Sequence, residues 1–492
     1  MNKLNFDPDK YEIKSCELDG QTIRYRAFED IRYCENPVDE IQKLNIFVPE
    51  EFYEKDEVNG YTLESVPIFM PNSVGGYMAG PLSKPGRNFL GIINVEFEAL
   101  KHGYVVVCAG IRGRNSGMET KEFFVGGNIQ SSGQNGRKLV GRAPALIVDM
   151  KAAIRYLRHN REVIPGDVEK IITSGTSAGG ALSALTGATG NIRDYEPFLK
   201  AIGAADERDD IFAANCYCPI HNLENADAAY EWLFNKEHIA HMMKYENSNG
   251  KVQALPIEDE MTDAEIKVSN ELKALFPQYL NSLELKDEDG EVLTLDDDGN
   301  GSFKDYLLSF IAKSAQKELE DHESLSRNPI FCVQGSEVEK QDYLRVENGR
   351  VTAIEFDQFV KKVTRMKKAP AFDNLKLQSP ENEEFGTEEV YAKHFTKYAK
   401  EHSLTNGMMA DEQMIKLLNP INYIGCEGTT MHWRIRHGVF DRDTSLAIPV
   451  ILATLLKNKG YDVDFFLPWG LPHSGDYDLP ELFAWIDNLA KK

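Results

Sequence analysis

The chain is poor in cysteine, and the few cysteines it has are scattered. The 492 residues contain seven, an odd number without the regular spacing of a disulfide framework. They are Cys16, Cys34, Cys108, Cys216, Cys218, Cys332 and Cys426. Cys216 and Cys218 flank one residue of an apolar run, so we predict that both thiols share a strand face, pack in the core and bind no metal. A reducing cytoplasm is the simplest compartment for such a chain.

Long apolar runs and an excess of positive charge are also missing. No segment approaches the ~18 consecutive apolar residues of a membrane-spanning helix. The first twenty residues contain no apolar signal core, so we expect no export signal in this sequence. There are 78 acidic and 55 basic residues, a formal net charge of -23. Such a balance argues against nucleic acid or an anionic membrane as a partner.

The stretch "IITSGTSAGGALSAL" places Gly-Thr-Ser-Ala-Gly between an apolar run and a helix of small residues. We predict that a strand turns sharply into a helix here, with Ser177 at the corner and its hydroxyl exposed. Gly175 and Gly179 are required because side chains at those positions would collide with the strand or the helix. An amphipathic helix at 143–163 precedes the strand, and the order helix, strand, turn, helix predicts an α/β fold. A glycine-rich turn with a capping serine is the alternative, which this order disfavours.

Two stretches with an α/β sequence pattern lie on either side of a long segment with a different composition. Residues 12–48 predict extended segments at the antiparallel edge of a sheet. From about residue 220 to 415, charges, aromatics and helical patterns dominate, and the α/β pattern then resumes. We therefore predict an α/β-hydrolase fold with a large inserted lid domain. Residues 1–217 and 419–492 would form the core, and 218–418 the lid.

A serine nucleophile needs a histidine that accepts its proton and a carboxylate that orients the histidine. His473 lies in a polar loop between the last apolar strand and the last helix, where an α/β-hydrolase carries its base. His437 lies within the preceding strand-like run and is a weaker candidate. His238 and His241 form H-x-x-H without the glutamate of H-E-x-x-H, so we interpret them as ordinary helix residues rather than metal ligands.

Two aspartates compete for the role of the acid. Asp441 and Asp443 both follow the strand-like run "MHWRIRHG". Either could instead cap a helix that begins near Thr444. Capping suits Asp443 better by position. Alternation places both side chains on one side, so the sequence alone does not separate the two, and we take Asp441 as the acid of the triad.

The oxyanion hole needs two backbone N–H groups directed at the developing negative charge. One is expected from Ala178, directly after the nucleophile. The other is expected from the early loop "NSVGGY", where Gly75 and Gly76 let the backbone approach the substrate closely. We place Gly76 in the predicted site, although the sequence does not show which N–H is used.

One acidic run resembles the opening of a calcium loop. Asp296, Asp298 and Asn300, followed by Gly301, have the spacing of the first EF-hand ligands. Leu307 stands where that loop needs a bidentate glutamate. We therefore favour a hairpin turn before the next helix, and we expect no metal or other cofactor.

Several stretches together are specific to one enzyme family. They are "GTSAGGALSAL", "RIRHGVFDRDTSLA", "PWGLPHSGDYDLPELFAWI" and the segment from "MKKAPAFD" to "ENEEFG", with an insertion of the observed length. In these the chain resembles the bacterial tannases, cytoplasmic serine esterases of the tannase and feruloyl esterase group within the α/β-hydrolases. The resemblance spans nearly the whole chain. It implies that Ser177, His473 and Asp441 hydrolyse the galloyl ester bonds of tannins and simple gallates through a galloyl-enzyme intermediate and release gallic acid.

The resemblance also implies three side chains that bind the hydroxyls of the gallate ring. They match Asp443, Glu381 and Lys367, although Lys368 is adjacent and could be the true match. A ring with three neighbouring hydroxyls offers donors to two carboxylates and acceptors to an ammonium group. Such a site should reject rings without hydroxyls, because its charges would be left unpaired.

Three functions are compatible with the fold alone: a galloyl esterase, a feruloyl or general carboxylesterase, and a non-catalytic binding protein on a hydrolase scaffold. The presence and order of all three triad candidates argue against the binding protein. The set Lys367, Glu381 and Asp443 favours gallate over ferulate, which lacks a three-hydroxyl ring.

Overall fold

The computed structural model describes residues 3–88, 91–118, 138–320 and 336–491. Cys332, one of the seven cysteines, lies outside the described residues. The strands are β1 (Glu12–Leu18), β2 (Gln21–Arg32), β3 (Lys43–Pro49), β4 (Pro67–Pro71), β5 (Val105–Ala109), β6 (Asp167–Thr176), β7 (Ala213–Tyr217), β8 (Ile239–Ser248), β9 (Lys251–Glu260), β10 (Leu344–Glu347), β11 (Arg350–Ile354), β12 (His432–Arg436) and β13 (Asp462–Phe466).

The helices of the described residues lie between these strands along the chain. They are α1 (Val95–His102), α2 (Ala145–His159), α3 (Ala178–Ala188), α4 (Glu196–Ala201), α5 (Leu223–Phe234), α6 (Asp263–Lys273), α7 (Phe276–Ser282), α8 (Ser302–Glu320), α9 (Phe356–Val363), α10 (Pro380–Glu384), α11 (Lys397–Glu401), α12 (Glu412–Leu417), α13 (Ala447–Asn458) and α14 (Leu479–Ala490). None of these helices is long and apolar enough to cross a bilayer.

A central sheet runs through the described part of the chain in the order β1-β2-β3-β5-β4-β6-β7-β12-β13. The first three strands are antiparallel and form the sheet edge that the sequence predicts. From β5 to β13 all neighbouring strands are parallel. The central strands β4, β5 and β7 are buried along their whole length, as expected when helices cover both faces of a parallel sheet. The predicted α/β fold is confirmed.

The inserted part of the chain begins after β7 and ends before β12. These two strands are neighbours in the sheet, with Cys216 opposite Ile435, yet α5 to α12 and β8 to β11 lie between them in sequence. The insertion has an aromatic cluster of its own, in which the Trp232 ring lies 5.1 Å from Phe276 and 5.9 Å from Phe303. The exact boundaries at 218 and 418 stay a prediction.

One part of the insertion differs from the sequence-based prediction. The helical pattern ends at Phe234, and His241 lies in β8 rather than in a helix, with His238 just before that strand. The strand forms because β8 pairs with β9 along its full length, and because His241 N–H also donates to the Arg365 carbonyl at 2.9 Å. These partners are distant in sequence, so no local periodicity reveals them.

The acidic run that resembles a calcium loop forms a turn. Asp296 Oδ1 accepts the backbone N–H groups of Asp298 at 3.0 Å and Asn300 at 2.8 Å. The Asn300 side chain accepts a hydrogen bond from Lys304 Nζ at 3.0 Å. An aspartate that bonds the backbone two residues ahead is typical of turns, which agrees with the hairpin interpretation.

Candidate active site

Ser177 occupies the corner between β6 and α3, as the sequence predicts. Its backbone has φ 64° and ψ -123°, a conformation that costs energy for a residue other than glycine and that characterises a nucleophile elbow. A Cβ atom on Gly175 would lie 2.3 Å from the Gly179 carbonyl oxygen. One on Gly179 would lie 2.5 Å from Asn72 Oδ1. The sharp turn therefore depends on glycine at both positions.

The predicted acid and base are in contact. Asp441 and His473 follow β12 and β13, whose carboxyl ends lie at the same sheet edge as that of β6 because all three strands are parallel. His473 Nδ1 lies 2.7 Å from Asp441 Oδ2, which directs Nε2 away from the carboxylate. The Asp441 side chain is fully buried, whereas His473 remains partly exposed. This is the geometry of an oriented general base.

The structure separates the two aspartates and excludes the capping alternative. α13 begins at Ala447, after an N-cap residue, Leu446, that makes no side-chain capping hydrogen bond. Asp441 Oδ1 instead accepts the backbone N–H of Asp443 at 2.8 Å, so the first aspartate orders the loop that presents the second. Neither aspartate caps the helix.

His437 lies just past the end of β12 and is closer to the site than the sequence indicates. Its Nε2 is 3.4 Å from Asp441 Oδ2, on a fully buried side chain. Burial opposes the protonated form of His437 and lowers its pKa. Without exposure it does not serve as the base, but it packs beside the acid that orients His473.

Cys218 is buried, as predicted, but the prediction that it shares a strand face with Cys216 is wrong. β7 ends at Tyr217, and Cys218 turns out of the strand with φ 34°. Its Sγ lies 3.9 Å from His473 Nε2. The Cys218 sulfur, a carboxylate oxygen of Asp441 and a ring nitrogen of His473 all lie within 4.8 Å of one another. A thiol, a carboxylate and an imidazole at this spacing could hold a metal ion, which would then compete for the predicted base His473.

The predicted oxyanion groups lie against the elbow. Ala178 begins α3, and the loop that contains Gly76 joins the elbow through the Asn72 side chain, which donates to the Gly179 carbonyl at 3.1 Å. The Tyr77 hydroxyl donates to the Ile220 carbonyl at 2.7 Å. Ile220 N–H in turn donates to the Ser177 carbonyl at 3.2 Å. Hydrogen bonds thus hold the two candidate sources of N–H donors, the start of α3 and the Gly76 loop, in a fixed relative position.

The three residues implied for ring binding come together from two parts of the chain. Lys367 Nζ lies 2.5 Å from Asp443 Oδ1, and Asp443 Oδ2 lies 3.7 Å from His473 Nε2. Glu381, which is buried, interacts electrostatically with both Lys367 and Asp443. Lys368 points elsewhere, because its Nζ is 3.1 Å from both Asp259 and Glu265. The geometry favours Lys367 as the ring-facing lysine.

These charges shift one another's pKa. Burial acts against the charged form of Asp441, but the nearby histidines outweigh it and lower its pKa to about 2. Burial likewise opposes the protonated form of His473, yet the carboxylates Asp441 and Asp443 raise its pKa above the ordinary histidine value. For Lys367, the carboxylates Asp443 and Glu381 outweigh burial and raise the pKa. Lys367 therefore stays charged beside the base.

Sequence reasoning missed the residues that hold Lys367 in place. The Tyr230 hydroxyl, on α5, accepts the backbone N–H of Lys367 at 3.0 Å and donates to the Arg442 carbonyl at 3.0 Å. Arg365 Nε donates to the Lys367 carbonyl at 2.7 Å, and its guanidinium pairs with buried Glu231. No local pattern marks Tyr230 and Glu231, because their partners Arg365 and Lys367 lie 134 and 137 residues further along the chain.

Comparisons with known proteins match this architecture. Residues 137–254 match the BD-FAE family. The chain is 31% identical over 112 residues to the esterase LipQ of Mycobacterium tuberculosis, a match that spans only 25% of that relative's length and 23% of this chain.

Solved structures match over almost the whole chain. A tannase from Lactobacillus plantarum is 45% identical, with a TM-score of 0.89 over 99% of this chain and 100% of the other. A tannase from Fusobacterium nucleatum is also 45% identical, with a TM-score of 0.88 over 99% of both chains. A tannin acyl hydrolase in complex with ethyl gallate matches at 45% identity and a TM-score of 0.88 over 99% of both chains.

Proposed function

This chain belongs to the bacterial tannases, and we propose that it releases gallic acid from galloyl esters, with Ser177 as nucleophile, His473 as general base and Asp441 as the orienting acid. It is a carboxylic-ester hydrolase with the α/β-hydrolase fold and an inserted domain. Its substrates are small molecules, as the ethyl gallate complex of its relative indicates.

The reaction proceeds in two acyl transfers. His473 Nε2 accepts the Ser177 proton while the serine oxygen attacks the ester carbonyl, and Asp441 holds the imidazole in the required tautomer. The N–H groups of Ala178 and the Gly76 loop stabilise the oxyanion of the tetrahedral intermediate. The protonated His473 then gives its proton to the departing alcohol, which leaves a galloyl ester on Ser177. Water, deprotonated by His473, hydrolyses that ester.

Recognition of the ring rests on three charged side chains. Asp443 and Glu381 accept hydrogen bonds from ring hydroxyls, and Lys367 donates to a hydroxyl oxygen. The inserted domain supplies Lys367 and Glu381, so it acts as a lid that forms one wall of the acyl pocket.

One observation carries the proposal: the ring-binding carboxylate is next to the catalytic base. Asp443 Oδ2 lies 3.7 Å from His473 Nε2, while its other oxygen pairs with Lys367. An acyl group attacked by Ser177 must lie beside His473, so its ring can reach Asp443 and Lys367 at the same time. A general carboxylesterase has no use for a lid lysine and an aspartate at this position.

We also propose a cytoplasmic location, which six free cysteines among the described residues support.

The test of the function compares three esters with wild-type enzyme and Ser177→Ala. We expect wild type to hydrolyse methyl gallate much faster than methyl ferulate, and to hydrolyse nitrophenyl acetate as an activated reference. Ser177→Ala should fold normally and lose turnover of all three by ~10^4-fold or more. Mass spectrometry of wild type quenched during turnover should detect a galloyl adduct on the peptide that contains Ser177. Near-normal hydrolysis by Ser177→Ala, or equal rates on gallate and ferulate, would overturn the proposal.

A further inference from the structure

Arg114 is a buried cation that neither the triad nor the ring-binding set uses. It follows β5 in the core, and its side chain is 7% exposed. Its Nε donates to the Gly76 carbonyl at 2.8 Å, and its backbone N–H donates to the Tyr77 carbonyl at 2.8 Å. Its other guanidinium arm pairs with Glu383, whose side chain is 8% exposed. One side chain therefore binds the oxyanion loop and the inserted domain together.

The oxyanion loop has an uncommon backbone conformation, and one side of it is open. Gly76 and Tyr77 have φ values of 54° and 58°, a conformation that is costly for tyrosine. A Cβ atom on Gly75 or Gly76 would meet nothing within 4 Å, so this side of the loop faces open space. The peptide plane couples the Gly76 carbonyl to the Tyr77 N–H. A guanidinium that fixes this carbonyl therefore restricts rotation of the loop's peptide groups.

The other end of the contact lies in the ring-binding helix. Glu383 is on α10, two positions after Glu381, and a step of two residues turns an α-helix by about 200°. Glu381 therefore faces Lys367 and Asp443 while Glu383 faces the core. α10 thus pairs with Arg114 through Glu383, while Glu381 on the same helix interacts electrostatically with Lys367, Asp443 and Arg114.

We propose that Arg114 is a positioning residue that couples the ring-binding helix of the lid to the oxyanion loop. This inference deepens the proposed function and rests on it. Arg114 fixes the peptide group between Gly76 and Tyr77, and so limits the conformations of the loop that presents the oxyanion donors, and Glu383 fixes the orientation of the guanidinium. A lysine cannot replace it, because an ammonium group lacks the planar fork that reaches a carbonyl and a carboxylate in fixed directions.

The experiment measures Arg114→Lys and Glu383→Gln on methyl gallate and nitrophenyl acetate. We expect Arg114→Lys to lower kcat for both esters roughly ten- to a hundredfold with little change in KM, since loss of one oxyanion donor costs about 10²–10³ in kcat. Glu383→Gln should lower kcat in the same direction by less. The double variant should be no worse than Arg114→Lys, because the two act as one unit.

A second readout reports the oxyanion hole directly. The rate at which a nitrophenyl dialkyl phosphate inactivates Ser177 should fall in parallel with kcat, since its phosphoryl oxygen occupies the same hole. Lys138→Ala is the matched control, because Lys138 pairs at 2.9 Å with Glu388 on the exposed side of the same contact between core and lid. That variant should retain wild-type kinetics and wild-type inactivation.

Two results would overturn the inference: folded Arg114→Lys or Glu383→Gln with unchanged kcat, or a change confined to KM for methyl gallate. Thermal unfolding shows which variants fold. If Arg114→Lys does not fold, the kinetics of Glu383→Gln decide the question. The measurements with nitrophenyl acetate also distinguish a failure of this inference from a failure of the proposed function. If wild type cleaves the acetate but not methyl gallate, galloyl specificity fails while the role of Arg114 is still measured.

Discussion

Lys367 Nζ and Asp443 Oδ1 lie 2.5 Å apart, so the lid and the catalytic loop are joined by an ion pair at the point where the substrate ring is expected. Both side chains are about one-fifth exposed, which keeps the pair accessible from the pocket. A ring hydroxyl can enter between them by donating to the carboxylate and accepting from the ammonium. The ion pair therefore preorganises both groups and holds their charges compensated until the substrate arrives.

Asp441 and Asp443 should give different defects when each is changed to asparagine. Asp441→Asn should lower kcat for every ester by up to about 10^4-fold, because His473 loses the partner that fixes its tautomer. Asp443→Asn should reduce kcat/KM for methyl gallate far more than for nitrophenyl acetate. Steady-state kinetics with both esters separates the two. The opposite pattern would mean that the roles are exchanged.

The acid limb of the pH profile should move when Asp443 loses its charge. The nearby carboxylates raise the pKa of His473, and protonated His473 cannot accept the serine proton, so kcat/KM falls as pH drops through that pKa. Asp443→Asn removes one of those charges, lowers the His473 pKa and should shift the acid limb to lower pH. The profile is measured with nitrophenyl acetate, which does not need the ring-binding set. Asp259→Asn is the control, because Asp259 pairs with Lys368, and it should leave the acid limb of the pH profile in place. An acid limb that does not move in Asp443→Asn would contradict the electrostatic account.

Removing either ring-binding side chain of the lid should weaken discrimination without harming the triad. Lys367→Ala and Glu381→Ala should each lower kcat/KM for methyl gallate roughly ten- to a hundredfold, which corresponds to about 1.5–3 kcal/mol for a lost hydrogen bond to a charged group. The rate on a methyl benzoate without hydroxyls should change little. Lys368→Ala is the matched control, since that lysine binds Asp259 and Glu265. Equal losses on both esters would show that the lid does not read the ring hydroxyls.

Tyr230→Phe should destabilise the lid segment that carries Lys367. The variant leaves the N–H groups of Met366 and Lys367 without their acceptor, which should reduce the free energy of unfolding by about 1–3 kcal/mol. KM for methyl gallate should rise more than KM for nitrophenyl acetate. Urea unfolding and kinetics measure the two effects. Tyr398→Phe, which removes a half-exposed bond to Glu271, is the control; a Tyr230 variant indistinguishable from it would contradict this role.

The parts of the site that depend on neighbouring residues could be predicted from the sequence. The elbow at Ser177 follows from a strand, two glycines and a helix in immediate succession, and the order of Asp441 and His473 follows from the fold class. The sequence could not separate Asp441 from Asp443, because both follow the same strand and the expected helix cap at Asp443 does not form.

The parts that depend on strand order or long-range pairing could not. Cys218 looked like a strand residue because its run is apolar, and the strand order β7-β12-β13 brings it to His473. The sequence did not predict strand β8, because β8 forms by pairing with β9. Lys367 and Glu381 carry no local pattern and were assigned by family resemblance alone. Arg114 had a weak signal, a polar loop just past the carboxyl end of a parallel strand, where α/β proteins place functional groups.

The position of the insertion between two neighbouring strands also determines when activity can arise during synthesis. Ser177 leaves the ribosome long before Asp441 and His473, and β12 cannot pair with β7 until the whole insertion has been made. Contacts between segments so distant in sequence form late in folding, because loop closure must come first. A nascent or truncated chain thus has a nucleophile without a base. With Ser177, Asp441 and His473 in their proposed roles, we expect the chain to gain esterase activity only after its last strand has joined the sheet.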